Sequence, residues 1–536
     1  MTNGQFSQSR LLLPAAVVAV VVLTALFSMQ GSEPRPALGK GAAVAAASSD
    51  PSIRSAVRGH ANPKVTISRI DDELTRVTFE DDGRTLAEAA VSKNGDVRDA
   101  QSYAHGVVIY GGGSTLANSP LLWLVAGLMF VVATIGDRLL QIRTLDIFAT
   151  LGVMASVALY NGAFITSSSL VGYPILLYLA LRCGWLGLRT TSSAQHSTVP
   201  LERGSARPQL WRRFGWPLVG AALTINVLVA AAPSVAVDVG YASMAGATAL
   251  LDGMVPYGNL TSDIIHGDTY PPLAYLLYVP AEVLWPVRDI FDAPTGALVM
   301  SALGTCMATA FLARARGPRI ALAFAVHPIV LIGSASGSND MLIPALLAAA
   351  ILTIQHPGRS TALVATAAWV KVAPVIIIPL WLACCRGRSR LLALLAIAAA
   401  SLVALVPLLA VGGTSAITAM VEGISFQATR GTLKSLWAHL HLPVAQHGAE
   451  AIAIVAALTL AIWLERRTRT GLSLQPERLC ALAAALLLTE QIAARHWTPL
   501  YFVWALPFLL VALFSGESMR KTPHLRVDDT APEVVR

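Results

Sequence analysis

Long apolar runs, broken by short polar stretches, set the rhythm of this chain. The first is LLLPAAVVAVVVLTALFSM (11–29), and others follow at about 119–136, 145–164, 170–188, 216–236, 295–313, 319–334, 341–355, 361–373, 374–385, 391–411, 448–464, 479–491 and 498–515. A backbone in hydrocarbon must satisfy its own hydrogen bonds, so such runs are read as membrane-spanning helices. The fold expected is an all-α polytopic membrane protein with about 14 transmembrane helices. The first run lacks a small-residue cleavage motif and reads as a retained signal anchor, residues 1–30. One region breaks the rhythm. KVTISRI, LTRVTFED and EAAVSKNGDVRDA alternate apolar and polar positions, with turn signals at Asp82-Gly83 and Asn94-Gly95. They predict a small β-rich domain outside the membrane, preceded by a flexible Ala/Ser/Gly/Pro-rich linker over 31–60 and together occupying 31–118.

Composition agrees with the pattern: 55% of residues are hydrophobic and 13% charged. The net charge of +8 invites a nucleic-acid reading, but the positions of the charges argue otherwise. Of 39 Lys and Arg, ten lie in 31–118, and on this span placement 24 of the rest fall on one side. By the positive-inside rule that side is the cytoplasm, with both termini there, and the basic excess is a topology signal. The remaining organisation follows: a three-helix extension (119–190), a cytoplasmic loop (191–215), a membrane module (216–515) and a cytoplasmic tail (516–536). The five cysteines sit in apolar runs or at their ends, and neither a CxxC nor a His/Cys spacing suggests a metal; no cofactor is expected.

The segment 237–294 contains PPLAYLLYVPAEVLWPV, apolar enough to pass for a span. Were it one, Arg314, Arg316 and Arg319 would land outside and every later loop would invert, so it is expected to lie at the interface. This loop and those at 334–340, 412–447 and 491–498 then open on the non-cytoplasmic side. They gather Asp238, Asp263, His266, Asp268, Asp340, Lys371, Arg430, Lys434 and His496 around a polar cavity. Charges at membrane depth are costly unless they face a cavity or a partner. Asp238 fits two roles, N-cap of the following helix or general base at the interface. Asp340 equally suits an N-cap. Lys371, in AAWVKVAPVIII, sits among apolar residues beside a Pro-interrupted helix; a cavity-lining role and a snorkelling structural lysine both remain open. Arg430 and Lys434 are either phosphate ligands or solvated loop charges, and Arg495 suits interfacial anchoring. His327-Pro328 reads as a helix-end feature. P-loop, nucleophile-elbow, HExxH and dinucleotide glycine signatures are absent from the sequence.

The order of these elements carries a resemblance. An Asp just after a span, D-G-x-x-P-Y (252–257), H-G-D-T-Y-P-P-L-A-Y-L-L-Y-x-P (266–280), K-x-x-P (371–374) and S-F-Q-A-T-R-G-T-L-K-S-L-W-A (425–438) together resemble glycosyltransferase family 87. That family belongs to the GT-C superfamily of polyprenyl-phosphate-sugar-dependent transferases of actinobacterial envelopes, and the likeness covers about 216–515. It implies a hexose, typically mannose, moved from a polyprenyl-phosphate donor to a lipid-linked or envelope glycan, inverting the anomeric centre. Carried over by position, Asp238 matches the catalytic base and Asp340 the second-loop acid. His496 matches the histidine near the last loop, and Arg430 and Ser435 match the R-G-x-x-x-S element. Lys371 and Lys434 join them on the donor phosphate. His266, Asp268, Asp263, Tyr257 and Tyr270 are assigned to the acceptor or to ordering the loop. The second loop offers only Asp340, with Asn339 before it, so metal-independent transfer is expected. A lipid-linked sugar flippase and a non-catalytic envelope assembly protein, docking partners through 31–118, are the competing readings.

Overall fold

The computed structural model describes residues 38–69, 74–81, 84–102, 116–135, 142–162, 164–189, 207–232, 238–260, 267–287, 294–429, 435–440, 442–470 and 475–515. The signal anchor (1–30), most of the loop 191–215 and the tail (516–536) lie outside them. The N-terminal unit is an antiparallel meander, β1 (Lys64–Arg69), β2 (Leu74–Asp81), β3 (Arg84–Ser92) and β4 (Val97–Ser102), with neighbours paired in chain order. The Asn94-Gly95 signal is realised as the β3–β4 turn, where Gly95 takes φ 90, a backbone angle that glycine adopts without strain. The expected flexible linker is a different matter. Its second half folds into α1 (Lys40–Ser49) and α2 (Pro51–Val57). Ala43, Ala47, Ile53 and Ala56 pack there on Val77, Phe79, Leu86 and Ala89 of one sheet face. Alanine is the best helix former, and its small side chain lets a helix lie close on a sheet; composition alone reads the same residues as slack chain.

The membrane part is helical. Its elements are α3 (Pro120–Thr134), α4 (Ile142–Asn161), α5 (Ile165–Leu188), α6 (Arg207–Ala231), α7 (Asp238–Leu251), α8 (Leu273–Leu276), α9 (Val279–Leu284) and α10 (Pro294–Arg316). There follow α11 (Pro318–Ala325), α12 (Pro328–Ala335), α13 (Leu342–Leu352), α14 (Pro357–Val370), α15 (Ile378–Ala383), α16 (Gly387–Thr429), α17 (Leu436–His439), α18 (Pro443–Arg469), α19 (Pro476–Ala493) and α20 (Phe502–Phe514). Six of these helices are long and apolar enough to cross a membrane, or seven if the bent pair α11 and α12 counts as one span. Leu394, Leu402, Val403 and Val406 of α16 and Ile454, Val455 and Leu458 of α18 are exposed along the helix sides, as residues facing lipid are.

The two ends of the bundle differ in chemistry. At one end arginines cap the carbonyl termini of helices, where the helix dipole favours a cation. Arg319 donates to Ala133 O (2.7 Å) and Ile135 O (3.0 Å) beyond α3, and Arg143 donates to Thr134 O (2.8 Å). Arg316 pairs with Glu477 and Arg390 with Glu465 at the same end. The start of α6 meets the start of α11 there, Gly215 lying against Pro318. The end of α6 lies at the opposite end, where Val229 packs with Ala117 and Ala335. Helix α10 begins at that opposite end too, with Ala297 beside Gly240 and the Gly337 loop. The chain from α7 to α9 therefore leaves and returns on one end without crossing, as the arginine argument requires.

Two expected boundaries shift. The run 319–334 bends by 61° between α11 and α12. His327 caps α12 by accepting the Ile329 amide, as a helix-end residue, while Asn226 donates to the carbonyl of Ala325 that the bend releases (2.8 Å). Freed backbone groups at membrane depth need such partners. The expected loop 412–447 is helical as far as Thr429: α16 runs through a break at Gly413 (φ 58, ψ −150) and folds its distal half over the segment between α7 and α10.

Candidate active site

Several helices that reach the end opposite the arginines are too short to span. The stretches Asn339–Leu352, Ala373–Ala383 and Pro499–Phe514 are apolar but only 10–17 residues long. At about 1.5 Å per residue, 14 residues rise about 21 Å, against about 30 Å for a hydrocarbon core. Helix α10 with 23 residues and α18 with 27 have the full length. The starts of α13 and α20 and the end of α14 meet instead as a buried floor.

On that floor Lys371 Nζ lies 3.0 Å from Asp340 Oδ1, with side chains 7% and 3% exposed. Each ion suits its helix end. Asp340 sits in the 3-10 turn Asn339–Met341 that opens α13, and Lys371 is the residue that ends α14, extended at φ −142 and ψ 139 because Pro374 forbids continuation. Trp504 Nε1 donates to Asp340 Oδ1 (3.0 Å), and the Ser338 hydroxyl donates to Oδ2. The ammonium faces three rings, Tyr270 at 4.8 Å, Tyr501 at 5.4 Å and Trp504 at 5.5 Å from their centroids, the last two stacked 4.1 Å apart. Cation–π attraction of this kind strengthens as water is excluded. The Tyr278 hydroxyl, fully buried and near enough to feel the Asp340 charge, has no hydrogen-bond partner. The segment 334–340 is thus a packed floor, not a flexible loop: Ser334, Ser336, Ser338, Asn339 and Asp340 are all buried.

Lys371, expected on the donor phosphate, and Asp340, expected at the acceptor or in ordering the loop, are paired with each other. Of the remaining expected residues, Tyr257 and Tyr270 order the first loop. Tyr257 Oη donates to Tyr270 O (3.0 Å), Tyr275 Oη donates to Gly267 O (2.9 Å), and the loop so pinned holds the Tyr270 ring against Lys371. Asp268 accepts the Gly258 amide (2.9 Å), and Gln427 of α16 donates to Thr269 Oγ1 (2.6 Å), tying α16 to the loop. Burial raises the Tyr257 hydroxyl pKa well above its ordinary value, with the Asp268 charge adding to it, so it serves as a neutral donor. His496 is half-buried with its ring 6.3 Å from Tyr501, and Ser435 is buried just before α17. Arg495 is held by Glu450 (3.2 Å) and His447 (2.6 Å), an anchoring arrangement. Arg430, Lys434, His266 and Asp263 lie outside the described residues.

Asp238 begins α7, exposed, with Oδ1 on the Val239 amide (2.8 Å). One turn on, α7 touches the floor. Ser243 Oγ accepts from Asn339 Nδ2 (3.0 Å), and Gly240 lies against the Gly337 carbonyl, where an added Cβ would overlap backbone. Gly240→Ala should therefore cost about 1–3 kcal/mol by forcing the helix off that loop, read as a lowered thermal midpoint of the purified protein. Ser338, Tyr278, Tyr501 and Trp504 were not singled out by sequence reasoning; the i, i+3 aromatic spacing in TPLYFVW was the available signal. Among the described residues, groups of three His, Cys, Asp or Glu fit to hold a metal are absent.

No protein-family model, curated protein or solved structure matches this chain.

Proposed function

We propose that this protein is a GT-C-like membrane glycosyltransferase of about 14 spans that moves a hexose, mannose first among the candidates, from a polyprenyl-phosphate donor to a lipid-linked or envelope glycan. The observation that carries the reading is the caged Asp340–Lys371 pair, buried where the ends of short apolar helices meet. The positive-inside rule puts the arginine-rich end and both termini in the cytoplasm and the end with the Asp340–Lys371 floor outside.

In the reaction, the Asp238 carboxylate takes the proton of the acceptor hydroxyl as that oxygen attacks the anomeric carbon. The bond from that carbon to the phosphate oxygen breaks, and the polyprenyl phosphate leaves with the electron pair. Lys371 Nζ, in a salt bridge with Asp340 but making no hydrogen bond among the described residues, has N–H groups to meet the developing negative charge, aided by Arg430 and His496. Asp340, its oxygens occupied by Lys371, Trp504 and Ser338, orients the lysine and is poorly placed to act as base. One displacement inverts the centre.

The test uses full-length protein in sealed vesicles with a labelled polyprenyl-phosphate mannose. Transfer of label to acceptor glycan supports the proposal. Redistribution of intact donor between leaflets without transfer would instead identify a flippase, and neither activity would leave the assembly-protein reading.

A further inference from the structure

Helix α5 of the three-helix extension lies along α19, most closely at two of its glycines. A Cβ added to Gly187 would stand 2.4 Å from Leu482 Cδ2, and one added to Gly172 would stand 2.4 Å from Trp497 Cη2 and 2.9 Å from Ser156 Oγ. The two contacts hold different things. Leu482 lies within α19, whereas Trp497 lies beyond its end, in the segment that carries His496 and leads through the 3-10 turn Pro499–Tyr501 into α20. Helix α19 stops where the Ala494 amide donates to Glu490 O (2.8 Å), and from there to Pro499 the chain has no helix of its own. Tyr173, next to Gly172, meets the Trp497 indole edge-on with centroids 5.0 Å apart, and Trp497 is 1% exposed. Helix α4 touches the Pro499–Tyr501 turn as well, and Gln491 of α19 donates to Tyr501 O (3.0 Å).

A segment without its own ladder of hydrogen bonds takes its shape from what it packs on. Here it packs, through one large rigid ring, on the extension. Close-packed interiors transmit displacement, so a shift of the indole moves the chain on both sides of it. One residue back is His496. Four residues on is Tyr501, whose ring faces Lys371 at 5.4 Å, stacks on Trp504 and lies 6.3 Å from the His496 ring. Glycine suits position 172 because any side chain there would take the place of the indole. We propose that Gly172 and Tyr173 are positioning residues: the extension seats Trp497 and so sets where His496 and Tyr501 stand relative to Lys371. The seat is independent of what the protein does; its effect on the departing phosphate rests on the transferase reading. The extension is thereby part of the scaffold of the site.

Full-length wild type, Gly172→Ala, Trp497→Phe, the double variant of these two, and Gly187→Ala would be compared in lipid nanodiscs. The readouts are thermal midpoint, the rate at which diethyl pyrocarbonate labels His496, followed by peptide mass spectrometry, and kcat and KM for sugar transfer. A misplacement of about 1 Å should cost Gly172→Ala about 10²-fold in kcat, with donor and acceptor KM near wild type, and should change the His496 labelling rate. Phenylalanine lacks the ring edge that the added methyl strikes, so the double variant should transfer and label more nearly like wild type than Gly172→Ala does. Gly187→Ala, with an equally close overlap on Leu482, should lower the thermal midpoint while keeping wild-type kcat and labelling. Wild-type kcat or labelling in Gly172→Ala, no recovery in the double variant, or an equal kcat loss in Gly187→Ala overturns the proposal. Should Gly172→Ala fail to fold, Trp497→Phe decides alone: the gap beside Gly172 should raise His496 labelling and lower kcat, and wild-type values of both would sink the seat. Altered labelling with recovery in the double variant, beside a wild type that transfers no sugar, leaves the seat and sinks the transferase; transfer by wild type with labelling and kcat unchanged in Gly172→Ala does the reverse.

Discussion

Lys371→Met should destabilise the protein by about 3–5 kcal/mol, because it strips the only cation paired, among the described residues, with a carboxylate that is 3% exposed. Asp340→Asn should cost a similar amount, leaving an ammonium among Tyr270, Tyr501 and Trp504 with no counter-charge. The informative variant is the double one. Removing both charges removes the desolvation each requires, so Asp340→Asn with Lys371→Met should recover most of the single-variant loss. Thermal midpoints of the four purified proteins close the cycle. Losses that merely add would mean the two groups act independently, and Lys371 would then be a snorkelling residue with no role on the floor. On the proposed mechanism, transfer activity should not return with stability in the double variant, since the lysine proposed to meet the leaving phosphate is still missing.

How far the sequence foretold this arrangement depends on the range of the interaction. Apolar runs and the placement of arginines are local or additive signals, so the helical membrane fold was legible, as was the non-crossing stretch from 271 to 287 between two ends of like chemistry. The meander was legible for the same reason, through alternation and the Asn94-Gly95 turn. Residues 40–57 were not, because Ala, Ser and Gly look alike as slack chain and as a helix pressed on a sheet; only the sheet tells them apart. The run 391–411 reads as ending just before Gly412-Gly413, and Gly413 does break the helix there; what was not legible is the second helical stretch that continues to Thr429. Asp340 and Lys371 were each conspicuous, but nothing in the order of residues pairs them. The pairing follows from α13 starting where α14 ends, together with Trp504 arriving from far along the chain. Glu490 passed unnoticed inside LLLTEQIAARHW because one acid in the last turn of a span looks like an interfacial charge; its lack of a partner is visible only in three dimensions.

Short helices explain why so many polar groups are tolerated together. A carboxylate in mid-membrane is expensive when lipid surrounds it, and much less so on a floor reached from the aqueous side. Asp340 and Lys371 meet that cost by pairing with each other and with the rings around them.

Asp238→Asn should slow sugar transfer by about 10² to 10⁴ while leaving the fold intact. The carboxylate is exposed at the start of α7 and touches only the Val239 amide, so its amide replacement keeps that contact and the helix start. What it loses is the capacity to take a proton. The neighbouring candidates cannot easily substitute, for Asp340 is saturated by Lys371, Trp504 and Ser338, and Asp268 is held by Gly258. The loss should therefore fall on kcat, with donor and acceptor KM nearly unchanged and the thermal midpoint within a degree or so of wild type. A variant that transfers at the wild-type rate would reduce Asp238 to a helix cap. A variant that loses rate and thermal midpoint together would place the effect in the packing of α7 on the 337–340 floor, and the base would have to be sought elsewhere.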